Sequence, residues 1–122
     1  MFEVVYDYPK SWLNEQSLHI AGQFAEEIPI APAIARRKAN GFFAGYITMM
    51  VIAGQPKLVL GKTPVWRVSA NLSLPNLGVV ATLGTVDVSA KTGKLYPLSE
   101  EQIQRMQELA HVIATHFTST ST

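Results

Sequence analysis

The sequence predicts an α+β fold, an antiparallel β-meander of three to four strands with a long central helix and a C-terminal helix packed on one face. Three observations lead to this prediction. From about Val65 to Leu98, apolar and polar residues alternate between groups of turn residues, which is typical of an antiparallel hairpin. A segment that begins at Pro32 and another that begins after Ser99 instead carry apolar residues at helical spacing. We expect one domain over residues 1–117 and a disordered tail over residues 118–122.

The hairpin is the element with the strongest local signal. Trp66 belongs to an apolar parity on the first strand, and Arg67 belongs to a polar parity that also includes Asn71. On the returning strand the apolar residues change parity at Gly84. One extra residue in a strand has this effect, so we predict a β-bulge there. Gly93 predicts a second tight turn, since glycine readily adopts a positive φ.

The central helix is predicted to begin at Pro32, where the missing N–H costs nothing, and to continue past Met50 to a stop at Gly54. Gly41 and Gly45 lie four residues apart within it. Each is less favourable in a helix than alanine by up to about 1 kcal/mol. We therefore expect both glycines to allow the close approach of another backbone.

The last helix has a well-marked start. Ser99 and Gln102 form a capping box, and Leu98 can pack on Ile103 as a hydrophobic staple. Five apolar residues at helical spacing then predict the buried face of this helix: Ile103, Met106, Ala110, Ile113 and Phe117.

The first part of the chain is less regular. Alternation from Phe2 to Tyr8 suggests a short strand that ends at Pro9, and Ser11 can cap a brief helix from Trp12 to Leu18. A further short strand is indicated from Leu58 to Leu60, before the hairpin.

Composition narrows the class of protein. The 122 residues are 48% apolar and 16% charged, which is typical of a globular domain, and they include no cysteine. A disulfide framework and a thiolate zinc site are thereby excluded. The N-terminus lacks the residue order of a signal peptide, so we expect a cytoplasmic protein. The uncharged stretch between Lys38 and Lys57 is interrupted by glycine and proline and is short for a membrane-spanning helix, so we expect no membrane association.

Charge is distributed unevenly along the chain. From Ile28 to Val86 there are six basic residues and no acid, whereas residues 1–27 carry five acids and one base. In one interpretation, Arg36, Arg37 and Lys38 join a basic residue of the hairpin to hold an anion, a nucleic acid or an acidic protein surface.

In the other interpretation, Glu3, Glu26 or Glu27 neutralise the basic cluster within the domain. We favour this second interpretation, because a patch of this size supports only weak, nonspecific binding of nucleic acid. Asp87 is expected to pair with Arg67 across the sheet. The candidate binding residues are Arg36, Arg37, Lys38, Trp66, Arg67 and Asn71.

No pattern in the sequence indicates catalysis or metal binding. His111 and His116 lie about 140° apart around a helix, so they cannot share one ion. The adjacent acids Glu100 and Glu101 point about 100° apart, which does not suit paired acid–base chemistry. No serine lies in an activating motif. We therefore predict no metal, no cofactor and no enzymatic activity.

Two resemblances carry further expectations. The stretches ARRKANGFFAGY, PVWRV, SLPNLG, LGTVDV and AKTG, between Ala35 and Gly93, resemble an uncharacterised family of small prokaryotic proteins associated with cyanobacteria. The stretch VDVSAKTGKLY is similar to the signature of PepSY-type domains, with Ser89 at a position where that signature has an acid. The second resemblance implies a small module of helices on an antiparallel sheet that binds or inhibits other proteins.

Together these observations lead us to expect a non-enzymatic protein-interaction or regulatory module, self-associating as a homo-oligomer, that presents its polar sheet face or an edge strand to a partner. The alternative is binding of an anion or a nucleic acid through the basic segment 36–67. A small-molecule enzyme is the least favoured hypothesis.

Overall fold

The computed structural model describes residues 4–6, 18–20 and 26–120. Within them the elements run in the order β1 (Val4–Tyr6), β2 (Leu18–Ile20), β3 (Glu26–Ile28), α1 (Pro32–Tyr46), β4 (Val51–Ala53), β5 (Lys57–Leu60), β6 (Val65–Leu74), β7 (Gly78–Ser89), β8 (Leu95–Tyr96) and α2 (Glu100–Thr120). This confirms the predicted α+β class.

The main sheet has six strands rather than the three to four predicted. Its order is β1-β5-β6-β7-β8, and β4 pairs with the half of β6 that β5 leaves free. All pairings are antiparallel, and β5 to β8 follow one another as the predicted meander. Strands β2 and β3 form a separate two-stranded sheet. The strand that the sequence did not predict, β4, has only three residues, which is too short for alternation to identify it.

The core lies between one face of this sheet and the two helices. On β6, Trp66 and the next three residues of the same parity have no exposed surface. Helix α1 buries Ala35, Ala39 and Phe43 in the same core cluster. Met106 of α2 lies beside Gly84, which pairs with Ala70 of that parity, so α2 packs on the same face as α1. The prediction that both helices pack on one face is confirmed.

Trp66 anchors this core. Its indole Nε1 donates a hydrogen bond to the carbonyl of Ile30 at 2.8 Å, so the ring is buried without leaving its polar group unpaired. This bond ties the segment before α1 to the centre of the sheet. Trp66 is therefore a core residue and is not available as a binding residue.

The hairpin has the predicted bulge and a second one. Pairing passes from Ala70 with Gly84 to Asn71 with Thr82, so Leu83 is the extra residue. A further shift follows two residues later, at Val80. The turn glycine Gly93 has a φ of 77°, as predicted.

Helix α1 is shorter than predicted and ends at Tyr46 instead of continuing to Gly54. The segment that follows Met50 forms β4, because its β-branched residues pair with β6. Gly54 does not stop a helix but lies against β6, where a Cβ atom on it would overlap the Ser69 Oγ and lie 2.9 Å from the Asn71 Nδ2.

No described residue makes the close backbone approach that was expected at Gly41 and Gly45. No heavy atom of the described residues outside the helix lies within 4 Å of the position that a Cβ would take on either glycine, and both residues are exposed. Neither glycine is required by packing within the described part of the chain.

Helix α2 begins as predicted and ends later. The amide of Gln102 donates to the Ser99 Oγ at 3.1 Å, and the amide of Ser99 donates to the Gln102 Oε1 at 3.0 Å, which confirms the capping box. The helix continues to Thr120, so it includes the first three residues of the tail predicted over residues 118–122. The hydroxyl of Thr118 donates to the carbonyl of Ala114 at 2.7 Å within this last turn.

The N-terminal predictions are covered only in part. Strand β1 lies inside the strand predicted between Phe2 and Tyr8. The helix predicted from Trp12 lies outside the described residues, apart from its last residue Leu18, which belongs to β2. Neither described helix combines the length and the apolar composition that a membrane crossing requires.

The contact at Gly54 leads to a stability prediction. Gly54→Ala is expected to lower the free energy of unfolding by about 1–3 kcal/mol, because the new methyl group overlaps the Ser69 side chain. In a Ser69→Ala background part of this loss should be recovered, since the remaining Cβ of residue 69 is 3.6 Å away and only the flexible Asn71 side chain, whose Nδ2 is at 2.9 Å, still has to move. Gly41→Ala is the matched control and should stabilise the fold by about 0.5–1 kcal/mol. Urea unfolding followed by circular dichroism measures all three, and equal effects at Gly54 and Gly41 would contradict the assignment.

Candidate functional site

The face of the main sheet opposite the helices is covered by neither of them. We call it the open face. Its centre consists of the polar parity of β6, whose side chains are partly exposed: Arg67, Ser69, Asn71 and Ser73. Across the strand pairing, β7 adds Thr82, Thr85 and Asp87 to the same face. The centre of the open face is thus a row of hydroxyl and amide groups with one ion pair.

That ion pair joins Arg67 and Asp87, as predicted from the hairpin. Arg67 Nε lies 2.9 Å from Asp87 Oδ1, and Arg67 Nη2 lies 3.1 Å from Asp87 Oδ2. The two residues are directly opposite each other in the β6–β7 register. Because this geometry is bidentate, the Arg67 charge is balanced within the sheet.

Asn71 is also engaged on the open face. Its Oδ1 accepts a hydrogen bond from the Thr82 hydroxyl at 2.9 Å. These two residues are cross-strand partners, so the bond reinforces the register beside the bulge.

Exposed apolar side chains surround this polar centre. Val5, Ile52, Val79 and Tyr96 are exposed by 58%, 44%, 53% and 43%. Their register partners are Val59, Asn71, Ser73 and Asp87, which belong to the outward parity, so all four lie on this side of the sheet. Val59 itself is 2% exposed, so the face is covered beside β5. We refer to these four residues as the apolar frame.

Both long edges of the sheet are obstructed along this region. The outer edge of β7 carries the two bulges, and β8 covers only Asp87 and Val88. On the other side, side chains of α1 occupy the peptide groups of β4: Arg36 Nε donates to the carbonyl of Ala53 at 3.1 Å, and the amide of Ala53 donates to Asn40 Oδ1 at 2.8 Å. Bulges and covered peptide groups are common means of protecting a sheet edge.

The predicted basic cluster does not act as one unit. Arg36 faces β4, whereas the Lys38 Nζ donates to the carbonyl of Gly93 in the β7–β8 turn. Residues two apart on a helix point about 200° away from each other, so the two side chains leave α1 on opposite flanks. Arg37 makes no hydrogen bond or ion pair with the described residues.

The structure also separates this cluster from Arg67. Helix α1 packs on the face that buries Trp66, whereas Arg67 belongs to the opposite parity. A single ligand therefore cannot contact all four predicted basic residues at once: Arg36, Arg37, Lys38 and Arg67. The side chains of Glu3, Glu26 and Glu27, which we considered as neutralising partners, lie outside the described residues.

A cleft of about 490 Å³ lies between α1 and the connection from β4 to β5. It is lined by Pro32, Arg36, Arg37, Asn40, Gln55 and Pro56, among others. We call it the arginine cleft. The role of Asn40 was not predicted from the sequence. Its position in a helix interior indicates a side-chain contact, because asparagine is not a strong helix former.

Comparisons with protein-family models, curated proteins and solved structures find no match to this chain. The two resemblances noted from the sequence therefore stay predictions. At the position where the PepSY-type signature has an acid, Ser89 is 2% exposed and its Oγ accepts hydrogen bonds from the amides of Lys91 and Thr92. A carboxylate can bind turn amides in the same way.

The Arg67–Asp87 pair leads to a second prediction. Asp87→Arg places two cations opposite each other and should destabilise the hairpin. The reversed pair, Arg67→Asp with Asp87→Arg, should restore most of the lost stability. Because the side chains are 34% and 29% exposed, we expect a coupling energy of only about 0.5–1 kcal/mol in a double-mutant cycle. Additive effects of the two single changes in urea unfolding would contradict the pairing.

The contact at the β4 edge leads to a third prediction. Asn40→Ala should lower the free energy of unfolding by about 1–2 kcal/mol, because it leaves the buried Ala53 amide without its acceptor. Asn40→Asp keeps an acceptor next to Arg36 and should stay close to the wild type. Arg37→Ala, on the same helix, should change stability by less than about 0.5 kcal/mol. Thermal unfolding distinguishes these cases, and a large effect of Arg37→Ala would argue against the assignment.

Proposed function

We propose that the protein is a non-enzymatic interaction module in which two copies associate through their open faces. The observation that carries this proposal is the apolar frame, four exposed apolar side chains on a sheet face that neither described helix covers. Exposed apolar residues gathered around a polar centre are typical of interaction surfaces.

A second copy is a suitable occupant because the open face can complement itself. Hydroxyl and amide groups both donate and accept hydrogen bonds, so the central row can pair with the same row of a copy related by a twofold axis. In such an arrangement the apolar frame of each copy meets the other frame or the rim of the other polar centre.

The dimensions of the sheet also suit a dimer. Strand β6 has 10 residues and is therefore about 33 Å long, and neighbouring strands lie about 4.8 Å apart. Only β6 and β7 have about this length, and the other four strands have two to four residues each, so the strands of this face cover on the order of 600 Å² for each copy. Two copies would bury about 1,200 Å² in total, the lower end of the range for specific interfaces. We therefore infer a reversible dimer.

Association through the face is favoured over association through an edge. A strand added to β7 would meet two bulges, and a strand added to β4 would have to displace Arg36 and Asn40 from Ala53. The open face requires no such rearrangement.

The chemistry of the open face supports a binding role rather than catalysis. Asp87 accepts both of its short contacts from Arg67, so its carboxylate has a structural partner. The remaining residues of the central row are neutral hydroxyl and amide groups. The proposal places the protein in the cytoplasm, because a chain without cysteine needs no oxidising compartment.

Analytical ultracentrifugation tests the fourth prediction. The wild-type protein should pass from monomer to dimer between about 10 µM and about 500 µM. Val79→Asp or Ile52→Asp places a charge in the frame and should weaken the dimer by about tenfold or more. Both residues are exposed in the monomer, so neither variant should unfold it.

The matched control is Val112→Asp, because Val112 is 63% exposed on α2, away from the open face. This variant should dimerise like the wild type. A wild-type protein that stays monomeric over the whole range overturns self-association and leaves a different protein as the partner of the face. An equal loss of dimer in Val112→Asp assigns the interface to α2 instead.

A further inference from the structure

The arginine cleft is a half-open cavity whose lining offers several hydrogen-bond donors. Its volume of about 490 Å³ is within the usual range for sites that bind small molecules. Arg36, Arg37, Asn40 and Gln55 form the polar part of the lining and Ala33 adds to it, whereas Pro32 and Pro56 are each less than 2% exposed. The arginines and the asparagine come from the second and third turns of α1, so the site is built from side chains rather than from the helix terminus.

Two of these side chains are held in place by one peptide unit. The carbonyl of Ala53 accepts from Arg36 Nε, and the amide of Ala53 donates to Asn40 Oδ1. Arg36 and Asn40 are four residues apart and share one flank of α1. These two hydrogen bonds use the Nε donor of Arg36 and the Oδ1 acceptor of Asn40. The terminal guanidinium nitrogens of Arg36 and the amide nitrogen of Asn40 are therefore left for other partners. The side chains are thus fixed before a ligand arrives, which lowers the entropy lost on binding.

The charged residues that the structure describes around the cleft are basic. Among the described residues that line it, two are arginines and none is an acid. The sequence between Ile28 and Val86 contains no carboxylate, and Asp87 is held by Arg67 on the other face of the sheet. Arg37 makes no hydrogen bond or ion pair with the described residues, so its guanidinium contributes a charge that no described contact balances.

From these observations we infer that the arginine cleft binds a phosphate monoester of a small organic molecule. Guanidinium groups match the oxygens of phosphate in paired hydrogen bonds, and Arg36 and Arg37 supply two of them. The cleft is larger than a bare phosphate needs, and the rest of its described lining, Ala33, Asn40 and Gln55, is uncharged and suits an uncharged organic part. An extended nucleic acid is less suitable, because it binds through many phosphate contacts along a basic stripe, and Lys38 points away from this site.

The test measures binding of adenosine 5′-monophosphate, inorganic phosphate and adenosine by NMR titration of the full-length protein. The monophosphate should bind with shifts at α1 and at the β4–β5 connection, and adenosine should bind at least about tenfold more weakly. Arg37→Gln should reduce the affinity for the monophosphate by about tenfold or more, because it removes a charge without breaking a described contact. Lys62→Gln is the matched control, since it removes one positive charge from the exposed loop between β5 and β6 and should leave the affinity unchanged.

Arg36→Lys provides a second variant whose fold can be checked by thermal unfolding. Lysine keeps the charge but lacks the planar guanidinium group, which can donate to the Ala53 carbonyl and to a phosphate at the same time. The affinity for the monophosphate should therefore fall while the fold persists. The inference is overturned if neither phosphate probe binds at about 10 mM, or if Arg37→Gln binds as tightly as the wild type. It is also overturned if binding is restricted to a single-stranded RNA oligomer and is weakened equally by Arg37→Gln and Lys62→Gln, since that result indicates diffuse attraction of a polyanion.

Discussion

Burial of one parity of β6 is the constraint on which the rest of the structure depends. Trp66 has no exposed surface, and its ring packs in the cluster that α1 completes with Ala39 and Phe43. Because side chains alternate along a strand, this burial directs Arg67 and Asn71 to the opposite face. A slip of one residue would place the Arg67 guanidinium in the core, which is costly enough to fix the register. The open face is therefore a direct consequence of how Trp66 is buried.

The same constraint explains why the basic residues of α1 are divided. The bond from Trp66 to Ile30 fixes the segment that leads into the helix, and the helix must then place its small residues over β6. Its flanks face β4 on one side and the β7–β8 turn on the other. Arg36 meets a free peptide group of β4, and Lys38 meets the carbonyl of Gly93. A run of three positive charges in the sequence thus becomes two structural contacts and one side chain, Arg37, with no described partner.

Which features the sequence could predict depends on how far apart in the chain the interacting residues are. The alternation of β6, the bulge at Gly84 and the capping box at Ser99 depend on residues close together in the chain or directly opposite in a hairpin. The end of α1 was not predictable in this way, because apolar residues at helical spacing and a three-residue buried strand look alike in a short window. The contact of Arg36 with Ala53 joins residues 17 apart, and it depends on where the unpredicted strand β4 lies. The arginine cleft exists because β4 and the connection after it lie beside α1. The sequence could therefore identify the basic residues but not the cavity that they line.

Strand β4 connects the two proposed surfaces. Ile52 belongs to the apolar frame, and its neighbour Ala53 holds Arg36 and Asn40 at the cleft. A strand of three residues has few hydrogen bonds of its own, so its position depends on its pairing with β6 and on these two side chains. A ligand that binds Arg36 would affect the hydrogen bond from Arg36 to the Ala53 carbonyl. It would thereby affect the position of the neighbouring residue Ile52. Any influence of cleft binding on association must then be matched by an equal influence of association on cleft binding, since coupling between two binding equilibria is reciprocal.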